Sequence, residues 1–88
     1  MSKSLEKYKI FYTETAAKDI EKLDRVSKKR IGKKIKIFSQ RPFFYARKLI
    51  KPSLGSYRWR IGNYRVVFDI DQDKIIILRI RHRREIYR

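Results

Sequence analysis

The chain contains no cysteine and a single histidine among its 88 residues. The first absence removes disulfide frameworks, cysteine-ligated zinc and thiol nucleophiles together, and suits a protein kept in a reducing cytosol. The second argues against a histidine-rich metal site. Long apolar runs are missing as well: the longest aliphatic stretch is IIIL at residues 75–78, far short of the roughly 20 residues a membrane helix needs. The N-terminus, with Lys3, Glu6 and Lys7, lacks the apolar core of a signal peptide. These features predict a cytoplasmic protein with no membrane partner. The length, free of low-complexity tracts, predicts one domain over residues 1–88.

Negative charge is scarce where it matters most. Lys and Arg number 25 against 9 Asp and Glu, a formal charge of +16. No carboxylate occurs anywhere from Arg25 to Phe68, while basic residues run throughout that stretch. Such a surface repels itself unless it faces a polyanion. Nucleic acid is the first expectation, an acidic protein partner the second and an anionic membrane the third.

YKIFY at residues 8–12 has strand-forming residues. The period then changes: Ala16, Ala17, Ile20 and Leu23 recur at three and four residues, with Glu14 in the first turn, which predicts a helix over 13–23. Asp24 and Ser27 are both candidate N-caps for a second helix, with a stripe of Ile31, Ile35 and Phe38 and basic residues over the remaining surface. Pro42 ends it. Residues 40–56, with Pro42, Pro52 and Gly55, show no period and read as a long loop. Three strands follow, over 57–61, 64–70 and 74–81, joined by Gly62-Asn63 and by the polar turn Asp71-Gln72-Asp73. The order β-α-α-β-β-β predicts an α+β fold, a mainly antiparallel sheet with both helices on one face.

Alternation places Tyr57, Trp59 and Ile61 on one side of their strand and Arg58 and Arg60 on the other. With a two-residue turn at Gly62-Asn63, Arg60 opposes Arg65, and Tyr64, Val66, Phe68 and Ile70 join the apolar side. A three-residue turn at 71–73 aligns Ile76, Leu78 and Ile80 with that side, sets Arg79 opposite Arg65 and leaves Arg81 one step along. The polar side becomes a raft of arginines with Arg65 facing solvent at its centre. Like charges opposed across a ladder cost up to about 1 kcal/mol per pair, and phosphate oxygens held by forked guanidinium donors would offset that. Lys33 and Lys36 on the second helix and Lys48 and Lys51 in the loop are further candidates for RNA contacts, with Arg79. Tyr87, near the chain end, either stacks on an unpaired base or, with Ile86, pins the tail to the core. His82 continues the parity of the core row, which favours a structural or rim role.

Lys48-Leu49, YRWRIGNYRVVFDI and IRHRREIY, on a β-α-α-β-β-β scaffold, resemble the RelE/ParE superfamily of toxins from bacterial and archaeal toxin–antitoxin pairs. The resemblance covers nearly the whole chain and implies a curved sheet. Its RelE branch consists of ribosome-dependent mRNA endoribonucleases, favoured here by the basic residues and the near-terminal tyrosine. The ParE branch poisons DNA gyrase, and a third reading keeps the fold as a non-catalytic RNA- or ribosome-binding module. For the RelE branch, the resemblance implies metal-independent attack of a ribose 2′-OH, no cofactor, and as partners the ribosome, mRNA and a RelB-like antitoxin with an acidic helical segment. It assigns the basic residues of the first hairpin strand to Arg58 and Arg60, and the transition-state arginine to Arg65. The general acid falls on Arg81, the nucleotide-orienting tyrosine on Tyr87 and a second basic candidate on Arg83. The best-known members carry lysines where this chain has Arg58 and Arg60. A guanidinium, protonated essentially always, is a poorer general base.

Overall fold

The computed structural model describes residues 8–48 and 55–86. Its elements are β1 (Lys9–Tyr12), α1 (Glu14–Glu21), α2 (Arg25–Phe38), α3 (Pro42–Tyr45), β2 (Arg47–Lys48), β3 (Tyr57–Ile61), β4 (Tyr64–Asp71), β5 (Lys74–His82) and α4 (Arg83–Ile86). The sheet order is β1-β5-β4-β3-β2, with β1 parallel to β5 and the other pairs antiparallel. This is the expected α+β succession, enlarged within the stretch read as a loop. There, α3 forms one helical turn with Pro42 at its start, where a missing N–H costs nothing, and β2 adds a fifth strand beside β3. Among the described residues, no helix is long and apolar enough to cross a membrane.

Thr13 ends β1 and begins α1 in one residue. Its Oγ1 accepts from the Ala16 N–H at 3.1 Å while its hydroxyl donates to the Leu78 carbonyl at 3.1 Å. Of the two candidate caps for α2, Asp24 takes the role, its carboxylate accepting from the Ser27 N–H at 3.2 Å. The hydrogen bonds from Ser27 hold the Asp24 carboxyl below its ordinary range. A carboxyl with a depressed folded pKa contributes stability that is present above the unfolded value, about 3.9, and is lost as pH falls through the folded value. Wild type is therefore expected to lose part of its thermal stability between about pH 5 and pH 3 that Asp24→Asn, an uncharged cap, does not lose. Melting both proteins by circular dichroism across that range tests it; parallel curves would remove Asp24 from the acid response.

The β3–β4 hairpin keeps the expected register, with Trp59 opposite Val66, Arg60 opposite Arg65 and Ile61 opposite Tyr64. Gly62 supplies the φ of +60° that the first position of this tight turn requires. The β4–β5 turn differs from expectation. Asp71 pairs with Lys74, leaving only Gln72 and Asp73 in the turn, and Gln72 takes a φ of 59°. A bulge between Val67 and Phe68 on one side, and Ile77 and Arg79 on the other, leaves Leu78 unpaired. One residue fewer in the turn flips the parity of Ile75 to Ile77, and the bulge flips it back. The core row of β5 is therefore Ile75, Ile77 and Ile80, all at most 3% exposed, whereas Ile76 and Leu78 are half-buried. Arg65 faces Arg81, and Arg79 stands opposite Val67.

Ala16, Ile31 and Ile35 close one side of the sheet over Trp59, Ile61, Val66 and Phe68. Trp59 anchors this core: its ring lies 4.1 Å from that of Phe68 and edge-on to Phe38 at 5.9 Å, and its Nε1–H donates to the Pro42 carbonyl at 3.1 Å. That bond and the Phe38–Tyr45 stack at 4.2 Å give the α3 turn its place on the core. Phe43 and Phe44 remain 54% and 66% exposed. Arg41 covers the Phe44 ring at 4.3 Å.

Candidate functional site

The sheet side facing away from α1 and α2 carries arginines in two rungs. Across the first, Arg47 opposes Arg58, Arg58 opposes Val67 and Val67 opposes Arg79. Across the second, Arg60, Arg65 and Arg81 stand on three adjacent strands. Directly opposed residues in an antiparallel pair have Cα atoms roughly 4.5–5.5 Å apart, so on the second rung Arg65 has an arginine on the neighbouring strand at each side. On the first rung Asp19 offsets one charge: it pairs with Arg79 at 2.9 Å and also accepts from the Ile80 N–H at 2.9 Å. Here β5 extends past the end of β1, and the carboxylate covers its bare edge.

Exposure is uneven along the second rung: Arg60 is exposed, Arg81 half-buried and Arg65 only 3% exposed. The expectation of a solvent-facing Arg65 is thus corrected. Residue 65 lies on the middle strand, flanked by β3 and β5, and α4 turns back against β5 and β4. The Arg83 N–H starts that return by donating to the Asn63 carbonyl at 2.7 Å. Beyond the arginines the same face becomes apolar. Gly55, at φ +138°, packs so closely that a Cβ there would meet Val67 Cγ1 at 2.5 Å and Leu78 Cδ1 at 2.9 Å. The Ser56 N–H donates to Asp69 Oδ1 at 2.6 Å and fixes the chain as it enters β3. A cationic floor therefore abuts a wall of backbone.

Arg58, Arg60, Arg65 and Arg81 come together on this floor. Arg79 shares the face but is tied to Asp19 through both Nε and Nη2. Lys48 is exposed on the edge strand β2, and Arg83 is exposed on α4. Lys33 and Lys36 are exposed on α2, in the helical layer on the other side of the sheet. Lys51 and Tyr87 lie outside the described residues. Arg47 was not anticipated. Its signal is its offset from Lys48, visible only once those residues are recognised as a strand. The one histidine sits off the floor: His82 opposes Tyr64, the rings edge-on at 5.3 Å, and its Nδ1 accepts from the Arg84 N–H at 3.2 Å.

The family model for the ParE toxin of the type II toxin–antitoxin system parDE matches residues 10–87. The chain belongs to this family, as a toxin of the RelE/ParE superfamily. The toxin is 31% identical over 84 residues to toxin RelG of Mycobacterium tuberculosis, covering 92% of this chain and 97% of that protein. It is 32% identical over 83 residues to toxin RelE3 of Methanocaldococcus jannaschii, covering 90% and 94%. The crystal structure of the toxin–antitoxin complex RelBE2 from M. tuberculosis contains a chain that superposes with a TM-score of 0.77 at 27% identity, over 85% of the toxin and 96% of that chain.

Proposed function

We propose that this toxin is a ribosome-dependent mRNA endoribonuclease. The observation that carries the reading is the second rung, Arg60, Arg65 and Arg81 directly opposed on three strands. Such a row is electrostatically unfavourable alone and matched to a phosphate gaining negative charge. The names of its RelE-type relatives support the same branch.

In the proposed reaction a ribose 2′-oxygen attacks the adjacent phosphorus. The O2′–P bond forms as the P–O5′ bond breaks, leaving a 2′,3′-cyclic phosphate and a 5′-hydroxyl. The 2′-proton must leave and the 5′-oxygen must gain one. Arg60 faces the phosphorane, Arg65, buried on the same rung, is proposed to add to the positive potential behind it, and Arg81 is the proposed donor to the 5′-oxygen. Guanidinium groups do not take the 2′-proton at neutral pH, and His82 stands with Tyr64 rather than on the row. Solvent water is then the proposed acceptor of the 2′-proton as the O2′–P bond forms, and activation of the 2′-hydroxyl falls to electrostatics and positioning. A ribosome holding the codon supplies the latter, worth several kcal/mol in well-oriented reactions. Tyr87 is proposed to orient the nucleotide. The partner proposed for neutralisation is a RelB-like antitoxin whose acidic segment covers the basic surface, consistent with a charge of +16.

The ParE name of the matching family favours a second reading, inhibition of DNA gyrase. Pulse labelling after induction separates them: incorporation of labelled methionine should collapse first and thymidine incorporation later. The reverse order would support the gyrase reading. Ribosome binding should also weaken steeply with salt, and Lys33→Ala with Lys36→Ala should lower the slope of log K against log salt by up to about two units if both touch phosphate. An unchanged slope would take these lysines out of the interface.

A further inference from the structure

Two clefts where α1 and α2 meet the end of β4 and β5 share Tyr64 and His82 as a common wall. The first, about 240 Å³, is completed by Asp19, Lys22, Arg79 and Arg81 with the apolar Leu23 and Ile80. The second, about 210 Å³, is completed by Ser27, Arg30 and Asn63 among others. Both fall below the roughly 300–1,000 Å³ of small-molecule pockets, so each suits a base or a phosphate rather than a whole cofactor. Asp19 is the carboxylate in the first lining, and its oxygens already receive Arg79 and the Ile80 N–H. With Lys22 and Arg81 the balance there is positive. In the second, Arg30 lies against the hairpin turn, where a Cβ at Gly62 would stand 3.5 Å from its Cζ.

Aromatic rings between cations suit a nucleotide, whose base stacks while its phosphates are held electrostatically. A peptide helix would instead need an apolar groove for its anchors. Arg81 links this place to the arginine floor, since it opposes Arg65 there and borders the first cleft here. We propose that the paired clefts form a second RNA subsite. It takes the nucleotide next to the one on the second rung, with the base against His82 and Tyr64 and the phosphates on Lys22 and Arg30. This rests on the RNA-cleaving reading and extends it.

Fluorescence anisotropy with a short 5′-labelled 2′-O-methyl RNA, which offers no 2′-hydroxyl for cleavage, tests the subsite. His82→Ala, and separately Lys22→Ala with Arg30→Ala, should each weaken binding about 5-fold or more, the lower end of what one stacked base contributes. His82→Phe keeps a ring and should stay within about 2-fold of wild type. Lys22 and Arg30 are exposed, so their double variant reports binding with the fold retained. If these variants bind like wild type while Arg60→Ala binds less tightly, the subsite is refuted and the arginine floor stands. Should Arg60→Ala also bind like wild type, both readings fall. Variants that keep RNA affinity but lose a labelled acidic peptide would make the clefts a protein-docking surface and overturn the proposal.

Discussion

Arg60→Ala is expected to slow mRNA cleavage on translating ribosomes by about 100-fold or more, the effect of removing one preorganised donor from a developing oxyanion. Its thermal midpoint should move by no more than a few degrees, because substitutions at exposed positions seldom change stability by more than about 0.5 kcal/mol. Arg60 is the informative member of the rung because it is exposed, whereas Arg65 is 3% exposed and its truncation would disturb packing and charge together. Single-turnover cleavage at saturating toxin separates the step from binding. A variant that cleaves at the wild-type rate would mean that the rung does not stabilise the transition state.

The hairpin that carries Arg60 could be read from its residues. Gly62-Asn63 fixes a two-residue turn, alternation on either side fixes the faces, and the Arg60–Arg65 pairing follows from those two facts. The partner on the next strand could not. Residues 75–78 are aliphatic at both parities, the turn before them holds a glutamine rather than a glycine in the left-handed region, and the bulge at Leu78 leaves no mark in composition. Each ambiguity shifts the register by one residue, which is how Arg81 replaces Arg79 opposite Arg65. A two-residue strand has too few positions to show a period, so Arg47 was hidden in an apparent loop. The burial of Arg65 is tertiary in origin: residue type favours exposure, and the middle strand with α4 returning against it overrides that preference.

Trp59→Ala is expected to destabilise the toxin by about 3–5 kcal/mol, the usual range for truncating a large buried aromatic. Trp59 is 0% exposed, packs on Phe68 and Phe38, and its indole N–H bonds the Pro42 carbonyl. The substitution opens a cavity and unpins α3. For 88 residues, a total stability of roughly 4–13 kcal/mol follows from typical per-residue values, so the variant approaches or crosses the unfolding threshold. Phe44→Ala, at a ring 66% exposed, should change stability by no more than about 0.5 kcal/mol. Urea denaturation followed by tryptophan-independent circular dichroism compares the two. Equal midpoints would show that the core is not centred on Trp59.

Primer extension on mRNA recovered from a purified translation system, with the same transcript incubated in parallel without ribosomes, decides whether the toxin is a ribosome-dependent endoribonuclease. New 5′ ends within translated codons are expected when wild-type toxin meets translating ribosomes, with their near loss for Arg60→Ala and an intact transcript when ribosomes are omitted. An intact transcript on translating ribosomes saturated with folded wild-type toxin would contradict that reading.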